Sequence, residues 1–311
     1  MPRRALPARF RRVRVLIVGC GDVGQRMVQQ LLPAARSQQR VHVLALTSTP
    51  EKAQHLRSLG VTPLVGNLDH PASLRRLGGI AHRVVHLTPP PAAGRVDTRS
   101  MHLQQALGLG RLPQRLVYGS TTGVYVDCQG QWVDETRAPH AQTDRALRRV
   151  HAEQQWRVWG LHSGVAVSVL RIPGIYAPDR AGGTPRTRLL KGLPVLVPHD
   201  DVYTNHIHAD DLAAIAVAAL WRGAPQRAYH VCDDTVLRMG DYFDLAADLY
   251  GLPRPPRVTL EVARQTLPAT MLSFMRESRR LRNERMKREL KVTLRYPTVS
   301  EGLGGGDVSL L

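Results

Sequence analysis

The segment Gly19-Cys20-Gly21-Asp22-Val23-Gly24 sets three glycines at the spacing GxGxxG. Glycines so spaced suit phosphate chemistry. The first permits a tight turn, the second lets backbone N–H groups approach a pyrophosphate, and the third lets a following helix pack on the preceding strand. The negative charge then faces a helix amino end, where unpaired N–H groups and the helix dipole favour it. The motif alone also occurs in ordinary glycine-rich turns. Here it directly follows the apolar run Val13 to Val18 and opens an amphipathic stretch, the context that marks dinucleotide binding. Gly19, Gly21, Asp22, Val23 and Gly24 are therefore assigned to a cofactor.

Further along, Thr47-Ser48-Thr49 stands where an NAD-selective site carries an acidic residue for the ribose hydroxyls. Hydroxyls on Thr47 and Ser48 suit a 2′-phosphate better than a carboxylate would, and Lys52 or Arg57 can supply charge, so the expected cofactor is NADP or NAD with a tilt toward NADP. Two other readings stay open: Glu51 fills the acidic role, or the polar trio caps a helix starting near Pro50. His206 and His208 flank Ile207 without a third ligand at useful spacing, and no metal site is expected. Cys20, Cys128 and Cys232 form no CxxC pair and no closed disulfide framework, which fits a reducing, cytoplasmic setting. Cys20 sits at a helix amino end, where thiolate pKa falls and modification would block cofactor entry; packing of a small residue is the competing explanation.

The elements that must position these groups follow from periodicity. Strand candidates are Val13 to Val18, Val41 to Leu46, Val61 to Val65, Arg83 to Leu87, Arg115 to Tyr118 and Val165 to Leu170. Helical spacing of apolar residues predicts helices over Asp22 to Ala34, Thr143 to Trp159 and Asp210 to Leu220. Strands alternating with helices imply an α/β fold with a parallel sheet wound on both faces, of Rossmann type. After Arg171 the texture turns to Pro and Gly punctuation, the edge of a smaller region.

The chain of 311 residues is long enough for one large or two modest domains. With 43% hydrophobic and 22% charged residues it is neither disordered nor fibrous. Its longest apolar run, Leu212 to Trp221, is too short to span a bilayer. The net charge of +18 is carried mostly by arginine, with runs at Arg3 to Arg14 and Arg276 to Arg295. Such charge attracts nucleic acid, yet base-stacking binders interleave aromatics with it, and none lies between Phe274 and Tyr296. The charge is read as a solubility and steering feature.

The order of motifs resembles the extended, sugar-nucleotide epimerase/dehydratase-like branch of the short-chain dehydrogenase/reductase superfamily. The resemblance runs from about residue 13 to 303, through Gly66-Asn67-Leu68-Asp69, Val84-Val85-His86-Leu87, Tyr118-Gly119-Ser120-Thr121-Thr122-Gly123-Val124-Tyr125, Leu170 to Pro178, His206 to Asp211, and a carboxy-terminal signature at Asn283 to Leu290. It implies that Asn67 and Leu68 meet the adenine, that Thr88 with Pro89 lines the nicotinamide side, and that Thr121 is the catalytic hydroxyl. The helix after Pro139 departs from the pattern. The family's Tyr, Lys and Glu fall on Arg145, Arg149 and Glu153, which places this chain among the atypical members, closest in texture to the YeeZ-like group. Arginine cannot replace the tyrosine, because it holds its proton at neutral pH; Arg149 can still serve as a ribose or phosphate ligand. Arg145, Arg148 and Arg149 form either an anion site or a solvated face laced by Asp144–Arg148 and Arg149–Glu153 pairs. Substitute proton donors are Tyr125 and Tyr176, with Tyr203 and His206 behind them, each tyrosine having packing as its alternative.

The resulting expectation has a basic extension over 1–12, a dinucleotide-binding domain over 13–171 with the 206–222 helix returning to it, a substrate region over 172–205 and 223–303, and a flexible tail over 304–311. The expected function is an NAD(P)-binding oxidoreductase acting on a carbonyl or sugar-nucleotide-type small molecule, anionic in character, without the usual Tyr/Lys pair. Its rivals are a non-catalytic dinucleotide-binding sensor and, more weakly, an accessory nucleic-acid binder. A homodimer through helices beside Arg145 is what relatives imply; no membrane partner is expected.

Overall fold

Residues 12–32 and 41–304 are described by a computed structural model. The expected extension over 1–12 lies outside them apart from Arg12, and the expected tail apart from Gly304, which ends the helix Val299–Gly304 rather than beginning a tail.

Five strands, β1 (Val13–Val18), β2 (Val41–Thr47), β3 (Thr62–Val65), β4 (Arg83–His86) and β5 (Arg115–Thr121), join Ala166–Ile172 and Arg227–His230 in one seven-stranded sheet. From one edge the order is Arg227–His230, Ala166–Ile172, β5, β4, β1, β2, β3. The order reverses at β1, which pairs in parallel with β2 on one side and β4 on the other, Val18 facing both Leu46 and His86. This is the expected doubly wound, Rossmann-type α/β fold, and ligands of such sheets lie beyond the strand carboxyl ends at the reversal. Val15 to Val18 are wholly buried, as a strand covered on both faces requires.

Helices α1 (Asp22–Leu31), α2 (Lys52–Ser58), α3 (Thr98–Gly108) and α4 (Asp144–Ser163) cover the sheet. Asp97 caps α3 by accepting from Ser100 N at 3.2 Å, and Thr143 caps α4 from Ala146 N at 3.2 Å. The expected helix at Asp210 to Leu220 extends over Ala209–Arg222. Arg83 and Arg115, at the starts of β4 and β5, donate to the carbonyls of Leu220 and Gly223, so strand residues satisfy carbonyls at this helix's end that would otherwise lack partners.

The chain divides into two compact units, one comprising residues up to 120, 143–170 and 213–228, the other 121–142, 171–212 and 229 onward. The 121–142 stretch, read from sequence as part of the first domain, thus groups with the second unit. The second unit has its own core, where Tyr176, Val195, Phe243 and Val299 pack together. It is pinned by short two-stranded pairs, among them Trp132–Val133 with Arg280–Leu281 and His206–His208 with Gly174–Tyr176. The two carboxylate oxygens of Asp211 accept from Arg295 N and Tyr296 N at 2.8 and 2.9 Å, fastening the chain's last third.

Candidate functional site

In the first unit a cavity of about 430 Å³ lies at the carboxyl ends of β1, β2, β3 and β4. That volume is in the range of small-molecule and cofactor sites. The three glycines divide the work as their spacing implies. Gly19 has φ +93°, and a Cβ there would sit 2.7 Å from both the N and Oγ1 of Thr88. Gly24 packs against Gly19 O, which a Cβ would approach to 3.1 Å. A Cβ on Gly21 would meet nothing within 4 Å, so the backbone there is bare toward the cavity it lines. A cradle of exposed main chain at a helix amino end fits a dinucleotide's pyrophosphate.

Of the sequence-assigned cofactor residues, Gly19, Gly21, Thr47, Ser48, Asn67, Leu68 and Thr88 line this cavity. Asp22, Val23, Gly24 and Arg149 do not. Asp22 instead accepts from Arg26 Nε at 3.1 Å along α1. Thr47 Oγ1 accepts from Thr49 N at 3.1 Å, closing a turn, while Glu51 at the start of α2 makes no side-chain cap bond. The trio therefore does not cap α2 with its side chains. Lys52 and His55 face the cavity, whereas Glu51 and Arg57 are outside its lining.

Cys20 also lines the cavity, and burial pushes its thiol up to about 11. The expected lowering at a helix amino end is overturned, because desolvation of the thiolate outweighs a dipole felt only over the first turn.

On α4 the charged residues, read as either an anion site or an ion-paired face, find partners in other elements. Asp144 pairs with Arg95 at 3.0 Å, and Arg148 is buried, donating to Gly94 O. Arg149 turns inward and donates through Nη1 to Tyr118 OH at 3.1 Å and Gly119 O at 2.7 Å. Glu153, also buried, accepts from Ser120 Oγ at 2.5 Å. Arg145 stays exposed. Beneath them lies a buried polar knot. Ser100 Oγ donates to Asp97 at 2.7 Å and accepts from Trp156 Nε1 at 3.1 Å and His86 Nε2 at 3.2 Å. Burial first, and the charges of Arg149 and Arg99 after it, push His86 down to about 3 and keep it neutral.

In the second unit the hydroxyl candidates separate. Thr121 is partly exposed; its Oγ1 accepts from Gly123 N at 3.2 Å to cap a short turn, which leaves its own proton to donate. Tyr125 is 1% exposed. His230 Nδ1 donates to Arg282 O at 3.0 Å, so His230 Nε2 accepts from Tyr125 OH at 2.7 Å, and that same hydroxyl receives a bond from Arg171. Its proton and a lone pair are thereby committed inside the protein. Tyr176 is 2% exposed and donates to Thr298 O at 3.2 Å, and burial raises its phenol far above the usual value. Both hydroxyls are buried and bonded inside the protein. The guanidiniums of Arg238 and Arg280 each lie over the Tyr203 ring, 5.6 and 4.8 Å from its centroid, and buried His206 is pushed down to about 3. Among the described residues no group of three or more His, Cys, Asp or Glu is placed to hold a metal ion, and no helix is long and apolar enough to cross a membrane.

Sequence reasoning missed Asp69 and Arg99 as cavity residues. Both line it, and Arg99 grips Asp69 with two bonds of 2.8 and 2.7 Å. No signal in the sequence pairs positions thirty residues apart.

A TrkA-N domain model matches residues 15–89, the stretch that contributes most of the cavity. No curated protein matches the chain. Among solved structures, a conserved protein of unknown function from Silicibacter pomeroyi is 30% identical, with 94% of this chain and 96% of that one covered and a TM-score of 0.74. A nucleoside-diphosphate-sugar epimerase from Pseudomonas aeruginosa is 19% identical, covering 94% and 95% with a TM-score of 0.74. A UDP-glucuronic acid 4-epimerase from Bacillus cereus, solved with UDP-glucuronic acid and NAD, is 17% identical, covering 94% and 96% with a TM-score of 0.73.

Proposed function

This chain belongs to the extended, epimerase/dehydratase-like short-chain dehydrogenase/reductases, and on that premise we propose that it binds a nicotinamide dinucleotide in the cavity above β1 and acts as an oxidoreductase on a carbonyl or sugar-nucleotide-type substrate. The observation that carries the reading is the bare backbone at Gly21 beside a left-handed Gly19, both at the reversal point of the sheet. When bound, the dinucleotide supplies hydride transfer; the protein supplies orientation and a proton.

The chain's own groups take the following parts. Gly19 to Gly21 cradle the diphosphate, Asn67 and Leu68 hold the adenine, and Thr88 lines the nicotinamide side. Asn67 Oδ1 already accepts from Asp69 N at 2.9 Å, which fixes the amide plane and leaves its NH₂ to donate. Lys52 and the Ser48 hydroxyl on the cavity wall, with Glu51 outside it, support NADP over NAD, while the Thr47 hydroxyl is bonded to Thr49 N and O. Thr121 donates its hydroxyl proton toward a substrate oxygen. Arg149, held by Tyr118 and Gly119, keeps a fixed cation where relatives have lysine and holds the ribose or an anionic group of the substrate.

A second reading, a dinucleotide-binding sensor without turnover, is favoured by one observation: both candidate tyrosines have hydroxyls spent on internal partners. Fluorescence titration with NADPH and NADH tests the shared claim, and tighter NADPH binding is expected. Absence of binding to either sinks both readings. Turnover against a panel of carbonyl and sugar-nucleotide substrates then decides between them.

A further inference from the structure

The cavity is walled by two stretches whose strands are not neighbours in the sheet. Gly66 to Asp69 follows β3, Leu87 to Pro89 follows β4, and β1 and β2 lie between them. One side chain joins the two walls. Arg99, in the first turn of α3, donates through Nε and Nη2 to the two carboxylate oxygens of Asp69 at 2.8 and 2.7 Å, and through Nη1 to Pro89 O at 3.1 Å. Three residues on, and so on the same helical face, His102 Nδ1 donates to Leu68 O at 2.6 Å. The same loop is braced from its other side by Ser73, whose Oγ accepts from Asn67 N at 2.9 Å.

The guanidinium is therefore fixed in its plane by bonds to both walls. Only arginine has a planar fork that can grip a carboxylate with two donors and reach a carbonyl with a third. The side chains of Arg99 and Asp69 are 25% and 39% exposed, and ion pairs so placed add little to global stability. What the clasp does fix is the spacing of the walls and the orientation of the Asn67-Leu68-Asp69 segment that forms one of them.

We infer that Arg99 is a positioning residue that sets the width of the adenosine slot and, through Asp69, aims the Asn67 amide at the base. The inference rests on the dinucleotide reading of the cavity. It predicts an effect confined to one half of the ligand, which a merely structural tie would not produce.

The test is isothermal titration of the full-length protein with 2′,5′-ADP and ADP for the adenosine half, nicotinamide mononucleotide for the other half, and intact NADPH and NADH. Arg99→Gln and Asp69→Asn are each expected to weaken the adenosine-half ligands about tenfold and to leave the mononucleotide within about twofold, the coupling size typical of residues in contact. Arg99→Lys keeps the charge without the fork and is expected to lose nearly as much as Arg99→Gln. The double variant should lose no more than either single one. Additive losses, full retention by Arg99→Lys, or equal weakening of both halves together with a lower urea midpoint would each overturn the clasp. Normal binding by the unaltered protein with unchanged variants overturns the clasp alone; no binding by the unaltered protein overturns the dinucleotide reading and the clasp with it.

Discussion

Alanine at Gly19 and alanine at Gly21 should fail in opposite ways, although the positions are two residues apart. At Gly19 the backbone has φ +93°, a conformation that costs an L-residue about 1–2 kcal/mol. The new methyl would also lie 2.7 Å from Thr88 N, a main-chain atom in the next strand's loop that cannot rotate aside, and relieving such a contact typically costs about 1–3 kcal/mol. Gly19→Ala should therefore lose about 3 kcal/mol, a large share of the about 5–15 kcal/mol that holds a domain together. At Gly21 the backbone has φ −84°, which alanine adopts freely, and its methyl meets nothing within 4 Å. The urea midpoint of Gly21→Ala should stay level or rise, since removing a glycine restricts the unfolded chain by about 0.4–1 kcal/mol. Its methyl, however, stands where a diphosphate must approach the amides, and NADPH affinity should fall at least about tenfold. Urea unfolding followed by tryptophan fluorescence, with NADPH titration of the same preparations, reads both effects. A stable Gly21→Ala variant that binds both dinucleotides as the unaltered protein does would refute the backbone-cradle argument.

Three further outcomes can be measured. Thr121→Val should abolish turnover while leaving cofactor affinity within a factor of about two, at a cost of about 0.5–2 kcal/mol for the lost cap on Gly123 N; retained kcat would remove Thr121 from the chemistry. His86, His206 and His230 are buried and pushed down to about 3, so the unfolded chain binds more protons than the folded one at any pH between about 3 and 6.5. Stability is fully present above pH 6.5 and is lost on acidification, by about 2 kcal/mol per histidine at pH 5, and urea midpoints that stay flat from pH 7 to 5 would contradict the burial. Cys20, raised to about 11, should carry about two orders of magnitude less thiolate at neutral pH than a free cysteine, and mass spectrometry after brief iodoacetamide treatment should find it unlabelled.

The glycine turn and the first five strands were legible because their signals are local. Val13 to Val18 matches β1 to the residue: Val15 to Val18 is buried on both faces, bounded by arginines and glycine. The strand Arg227–His230 was not, because four residues with an arginine and a histidine carry no apolar run and owe their conformation to the neighbouring strand. The inward turn of Arg148 and Arg149 escaped for a similar reason. Helical spacing offered both arginines carboxylates one turn away, but it could not show the carbonyls and the phenol that other elements bring to them. The clasp between Asp69 and Arg99 depends on three elements meeting, which pairwise spacing does not encode. Tyr125 and Tyr176 were legible as motif residues, yet only burial shows that their hydroxyls are already taken.

The arginine caps on the Ala209–Arg222 helix bear on how the chain is made. Strands complete by residue 121 hold donors whose acceptors, Leu220 and Gly223, leave the ribosome about a hundred residues later, and the sheet's border strand ends only at His230. Until then Ala166–Ile172 presents an unpaired edge, a template for pairing with other nascent chains. Stop codons placed between residues 172 and 226 should therefore yield inclusion bodies instead of a miniature nucleotide-binding protein, and synthesis in the cell should depend on chaperones that shield this edge until translation has passed it.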